Sequence, residues 1–216
     1  MRSTALALAL AAALPSAAAS QRQSADAVLS RAARTYQSLS TFRAEFRQKF
    51  EDPFVDQPES RGTLYQSGPN RFAMRFTNPA GGAIVIDGRH VWVYEPEDIP
   101  GQVLRFSLPE NAVYGYNLLG WFLERPQEKY RASWLREEVV DGAKADVLLL
   151  EPLDPTMRFR RATVWFDQET SLPRRFEIDE KIQQRILTLS RIRTNVALPG
   201  GVFTFQVPSG VRVVDQ

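Results

Sequence analysis

The sequence predicts an α+β fold that is mainly β: one strongly curved antiparallel sheet or barrel, covered by a few helices. Turn signals recur at short spacing and separate roughly ten or eleven segments that alternate between apolar and polar residues. Only two stretches have convincing helical spacing, Ser24 to Leu39 and Pro109 to Glu124. No internal repeat and no linker divides the chain, so strands with short turns argue against a parallel sheet.

The first nineteen residues read as a targeting segment rather than as fold. Arg2 is a short positive start, Ala5 to Leu14 is an apolar run, and Ala17-Ala18-Ala19 fits a small-residue cleavage pattern. The run is too short to span a bilayer as an anchor. The expectation is a signal peptide over 1–19, cleaved after Ala19, and a single soluble domain over 20–216, exported to a bacterial periplasm.

Ser24 can cap the first helix, with Asp26 in its first turn, and Val28, Leu29, Ala32, Ala33, Tyr36 and Leu39 form one apolar stripe. Thr41 to Phe50 has phenylalanines at 42, 46 and 50, which suits a helix. Ala44 joins them, however, while Arg43, Glu45, Arg47 and Lys49 fill the odd positions, and strict alternation makes it a strand. Asp52 to Ser60, with Pro53 and Pro58, reads as a loop.

Arg61 to Pro96 holds four short strands cut by Ser67-Gly68-Pro69-Asn70, by Asn78-Pro79-Ala80-Gly81-Gly82 and by Asp87-Gly88. Phe72, Met74 and Phe76 share one face. His90, Trp92 and Tyr94 share another, with Val91 and Val93 opposite. Gln102 to Ser107 is a short strand. In the helix from Pro109 to Glu124, Ala112, Val113, Tyr116, Leu119, Phe122 and Leu123 make a wide apolar face. Gly115 and Gly120 weaken it, each by about 1 kcal/mol relative to Ala, so it reads either as an ordinary packed helix or as a mobile lid. Strands follow at 132–140, 145–151, 159–167, 174–179 and 184–194, with Asp141-Gly142 as a hairpin turn. Phe203-Thr204-Phe205 leads to a last short strand at 211–214.

Most chemistry is excluded by what the chain lacks. There is no Cys, hence no disulfide, thiol nucleophile or thiolate metal site. The net charge of +2 gives no electrostatic case for nucleic acid. Nucleotide-binding and nucleophile-elbow motifs are missing. The single histidine, His90, is a poor start for catalysis or metal binding. Glu137-Glu138 and Glu177 with Asp179 fit a solvated sheet face better than a glycosidase pair. Arg158, Arg160, Arg161, Arg174 and Arg175 read as a solvated basic face or as a docking patch. No catalytic residue, metal or cofactor is expected. What remains is an apolar hollow under a curved sheet, with Phe42, Phe46, Phe72, Met74, Phe76, Trp92, Leu119 and Phe122 as candidate ligand-contacting residues.

Motifs in order along the chain resemble one family. They are LSTFRAEFRQ from Leu39 to Gln48, GTLY from Gly62 to Tyr65, PNRF from Pro69 to Phe72, Pro79, Asp87-Gly88, WVYEP from Trp92 to Pro96, and FTFQVPSGV from Phe203 to Val211. Together they are similar to the periplasmic lipoprotein carrier family LolA. The resemblance implies an unclosed antiparallel β-barrel with a helical lid over an apolar cavity. It implies a monomer that takes acylated lipoproteins from an inner-membrane ABC transporter of the LolCDE type and gives them to an outer-membrane acceptor lipoprotein, LolB. The family's arginine before the turn proline, which contacts the lid, is Gly68 here, and Arg71 lies two residues past that proline. A carrier of another lipid or glycolipid, and a sensor domain that binds a protein in envelope-stress signalling, stand as alternatives.

Overall fold

The computed structural model describes residues 17–51, 58–108 and 116–216. Its elements are α1 (Ala17–Gln37), β1 (Thr41–Glu51), β2 (Ser60–Ser67), β3 (Phe72–Asn78), β4 (Ala83–Ile86), β5 (His90–Tyr94) and β6 (Gln102–Ser107). There follow α2 (Leu118–Leu123), α3 (Pro126–Lys129), β7 (Tyr130–Val140), β8 (Ala143–Pro152), β9 (Arg161–Asp167), β10 (Pro173–Asp179), β11 (Gln184–Thr194) and β12 (Arg212–Asp215). The twelve strands form one sheet in the order β12-β6-β5-β4-β3-β2-β1-β11-β10-β9-β8-β7. Every pair is antiparallel except β12 with β6. The sheet is curled but unclosed, with β12 and β7 as its two unjoined ends. Register breaks at Arg43/Glu45, Arg61/Gly62, Trp134/Arg136 and Pro173/Arg175 sharpen its twist.

The inner face is apolar because alternation stays in phase from strand to strand. Phe72 pairs with Ile86, Ile86 with Val91 and Val91 with Phe106; one layer along, Leu64, Met74, Ile84, Val93 and Leu104 continue the same belt. Ala162, Val164 and Phe166 of β9, Phe176 and Ile178 of β10, and Leu187 and Leu189 of β11 complete the inner wall. The α1 stripe covers it: Ala25, Val28, Leu29, Ala32 and Tyr36 are all buried in this core. The helix begins upstream of Ser24, which therefore lies inside it rather than at its cap.

The second helix is shorter than its sequence pattern. Residues 109–115 lie outside the described residues, Tyr116 is in a turn, and α2 starts at Leu118. Asn117 caps it, its side chain accepting from Gly120 N at 3.1 Å. Leu118, Leu119, Trp121, Phe122 and Leu123 are buried all round, so the described part is a packed helix. Lys129 Nζ and Tyr130 Oη both donate to Trp121 O, at 2.8 and 2.9 Å, satisfying a carbonyl of its last turn.

The outer face is covered across β2 to β5. Leu198, Val202, Phe203 and Phe205 lie across Tyr65, Ala73, Ala83, Val85 and Trp92. Arg75 Nη2 pins this strap by donating to Val202 O at 2.9 Å and Thr204 O at 2.8 Å. The chain then runs into β12, which is why its last strand joins β6 in parallel.

Gly62 is the tightest point of the curl. A Cβ there would meet Arg75 O at 2.0 Å and the Phe46 ring at 2.8 Å, while Phe46 and Phe76 close edge to face above it at 5.1 Å. Gly62→Ala is expected to destabilise the fold by about 1–3 kcal/mol, read as a lower urea midpoint.

Candidate functional site

Seven of the eight residues singled out from the sequence belong to the inner core. Phe42, Phe46, Phe72, Met74, Leu119 and Phe122 are buried there, and Phe76 packs against them half-exposed. Trp92 does not join them. It points to the outer face, where its ring stacks on Phe205 at 5.5 Å and its indole N–H donates to Asp87 Oδ2 at 2.8 Å. The grouping of Trp92 with His90 and Tyr94 holds, but Val91 and Val93 are the inward pair. The strap across the outer face supplies the apolar partner that lets the larger ring sit outside.

Around Phe122 the interior is filled. Its ring lies 5.6 Å from Trp121, 5.6 Å from Tyr130, 5.5 Å from Phe159 and 5.4 Å from Phe176. A carboxylate placed at Phe72 or Phe122 would therefore report on folding, not on a ligand.

The hollow lies elsewhere, at the seam where the sheet fails to close. A cavity of about 990 Å³ is bounded by Val91, Phe106 and Ser107 on the β5–β6 side and by Leu153, Asp154, Thr156, Met157 and Arg158 of the β8–β9 connection on the other. Tyr116, Trp121, Glu128, Lys129 and Gln216 complete its wall. This volume is at the upper end of ordinary small-ligand sites, which run to about 1,000 Å³. Apolar groups supply more of the lining than polar ones. Phe106 and Tyr116 make one wall, with ring centroids 6.0 Å apart. Trp121 has no hydrogen-bond partner for its indole N–H among the described residues.

The charges around the cavity are restrained. Burial pulls the Lys129 ammonium below its usual value, although the nearby Glu124 carboxylate opposes the shift. Burial pushes the Tyr116 phenol up, helped by the charge of Glu95, so it stays neutral. The wall therefore offers an apolar guest hydrocarbon contact along Val91, Phe106, Tyr116, Trp121 and Met157, with the charged groups of Glu128, Lys129, Asp154 and Arg158 also in its lining. No group of three or more His, Asp or Glu residues close enough to hold a metal occurs among the described residues. His90 lies at 3.9 Å from Asp87 on the outer face.

Phe106 and Tyr116 were visible in the sequence as apolar positions of a strand and of a helical face. Val91 was visible but assigned outward. Trp121 was missed because it falls off the stripe that carries Leu119 and Phe122. Met157 and Leu153 lie in a connection with no periodicity to mark them. Arg71 is exposed and makes no side-chain hydrogen bond or ion pair with the described residues, and Gly68 has φ +60 with open space where a Cβ would stand.

Residues 37–206 match the family described as "Outer membrane lipoprotein carrier protein LolA". The chain belongs to the LolA family. It is 30% identical over 184 residues to an outer-membrane lipoprotein carrier protein of Haemophilus ducreyi, covering 85% of this chain and 82% of the relative. It is 28% identical over 180 residues to the protein of the same name from Aeromonas salmonicida, covering 82% and 84%. Solved structures share the fold at lower identity. An uncharacterized conserved protein from Thermus thermophilus matches at a TM-score of 0.57 and 16% identity, over 90% of this chain and all of that one. MucB in its complex with MucA from Pseudomonas aeruginosa matches at 0.53 and 18% identity, over 88% of this chain and 63% of that one.

If the seam cavity holds the ligand, a charge on its wall should empty it without unfolding the sheet. Phe106→Glu is expected to weaken binding of a fluorescent apolar probe at least tenfold while leaving the far-ultraviolet circular dichroism spectrum unchanged.

Proposed function

We propose that this LolA-family protein is a periplasmic carrier that shields the acyl chains of lipoproteins in the seam cavity. Residues 1–19 serve as the signal peptide, and residues 20–216 form the carrier unit. The observation that carries the reading is the large, mostly apolar cavity at the open edge of the sheet, in a chain whose relatives are named lipoprotein carriers. Phe106, Tyr116, Trp121, Val91 and Met157 contact the acyl chain. The deeper residues Phe42, Phe46, Phe72, Met74, Phe76, Leu119 and Phe122 form the solid wall behind it.

Each methylene removed from water is worth about 0.8 kcal/mol, so a long acyl chain represents on the order of 10 kcal/mol. Passage between two apolar cavities is then close to neutral. It needs docking and matched sites rather than bond chemistry, so the protein is not an enzyme. Extraction from the inner membrane falls to an ABC transporter of the LolCDE type, and delivery to a LolB-type acceptor at the outer membrane. A sensor role has one supporting observation, the fold shared with MucB, whose structure was determined with MucA. That likeness is one of fold alone.

Titration with a fluorescent apolar probe, followed by competition with a triacylated lipopeptide and with its deacylated form, tests the carrier reading. The acylated peptide alone should displace the probe, and Phe106→Glu should remove the effect. Displacement by both peptides equally, or by neither, would set the carrier aside in favour of a protein-binding role.

A further inference from the structure

A second, smaller cavity lies away from the seam, where the α1–β1 junction, the β2–β3 turn and the end of α2 converge. It measures about 220 Å³ and is lined by Tyr36, Leu39, Phe42, Gln66, Gly68 and Glu124, among others. The inner walls are apolar: Tyr36 and Phe42 are almost fully buried, and Leu39 packs against the same core. Gln37, Ser40, Thr41, Gln66 and Glu124 bring polar side chains to it. Gln66 is 4% exposed, and its Nε2 donates to the Tyr36 hydroxyl and to Gly68 O at 3.1 Å. Its Oε1 has no partner among the described residues. Glu124 caps the end of α2 through its backbone N–H to Gly120 O, but its carboxylate makes no hydrogen bond or ion pair with the described residues.

Burial pushes the Tyr36 phenol up to about 12, against the hydrogen bond from Gln66, so Tyr36 is neutral. Among the described residues, Glu124 is then the one charged side chain in the lining. The basic residues next to it are committed elsewhere. Arg125 reaches Glu128 at 3.3 Å, and Lys129 Nζ is held on Trp121 O.

An apolar shaft with a carboxylate at its mouth that has no partner among the described residues, and one unsatisfied oxygen acceptor, Gln66 Oε1, beside it, matches an alkyl stem that ends in a cation. The volume falls below the roughly 300 Å³ at which small-molecule sites begin, and suits a single side chain. A planar guanidinium bridges two separate acceptors better than a point-charge ammonium does. Free arginine would have to bring its own α-ammonium and carboxylate to the mouth, whereas a side chain on a larger molecule brings neither. We infer that this pocket receives an arginine side chain presented by a docking protein, held by Glu124 and the acceptors around Gln66. The inference rests on the carrier reading only for the existence of a docking protein.

Two arms test it. In the first, N-acetyl-arginine amide is titrated against the purified chain, with the neutral N-acetyl-citrulline amide as control. The backbone amides of Tyr36, Gln66 and Gly68 are followed by NMR. These signals should shift saturably with the arginine probe and at least tenfold more weakly with the citrulline probe, and Glu124→Gln should abolish the difference. Equal shifts with both probes, shifts indifferent to Glu124→Gln, or no saturable shift would overturn the inference.

In the second arm the cation is tethered at position 68, where a Cβ meets nothing within 4 Å. Gly68→Arg and Gly68→Gln share the same backbone strain. The arginine variant should melt higher than the glutamine variant, and the gap should vanish in a Glu124→Gln background. Absence of a gap, or a gap that survives that substitution, counts against the inference. Acyl-probe binding measured on the same samples separates the two readings, because it persists if only the arginine pocket is wrong.

Discussion

A curled sheet that does not close has to bury its inner face against something other than itself, and this constraint shapes the molecule. The twelve strands present one continuous apolar belt inward, yet β12 and β7 remain apart. A closed barrel of fewer strands would fill its interior with its own side chains. Here α1 and α2 are drawn in to supply the missing wall, and only α1 has the one-sided stripe of a surface helix. The residues of α2 are apolar all round because they are surrounded on all sides by sheet, α1 and the aromatic cluster of Phe122.

The same constraint places the hollow. Side chains from the middle strands meet α1 and α2 and leave no room, as the ring contacts of Phe122, Phe159 and Phe176 show. At the seam no strand faces Val91 and Phe106, so the space is bounded by a connection instead. An antiparallel sheet can close a face with tightly registered side chains, but a loop such as 153–158 has few apolar residues to interlock. The interior is therefore solid around Phe122 and open at the seam.

Much of the fold was readable from the chain because sheet order depends on local cues. The turn at Ser67 to Asn70, the Asp141-Gly142 hairpin with φ of 47 and 79, and the strand at 184–194 all lie where their residues indicate. Alternation grouped the side chains of β3 and β5 correctly, yet it cannot say which group faces in. For β3 the guess of the bulkier set succeeded. For β5 it failed, because Trp92 is covered by Phe205, more than a hundred residues later in the chain. The parallel pairing of β12 depends on that same strap. Positions such as Met157 act through the connection they sit in, and no period in the sequence reports on a connection.

Opening the cavity has a cheapest route, and magnitudes select it. Lifting α2 out of the interior would expose Leu118, Leu119, Trp121, Phe122 and Leu123. At about 1.5–3 kcal/mol for each buried side chain, that costs on the order of 10 kcal/mol, comparable with the whole stability of a typical domain. The 153–158 connection carries no such load. Leu153 is 52% exposed, and Asp154, Pro155 and Thr156 are exposed; the short turn is held by Asp154 accepting from Thr156 N and Oγ1 at 2.8 and 2.7 Å, by Met157 N donating to Asp154 O at 3.2 Å, and by Leu153 N donating to Lys129 O at 2.8 Å. Segments with few buried apolar contacts open at low cost. Of the walls that bound the cavity, the 153–158 connection is therefore the one that opens most cheaply, with α2 and its aromatic neighbours as the fixed wall opposite.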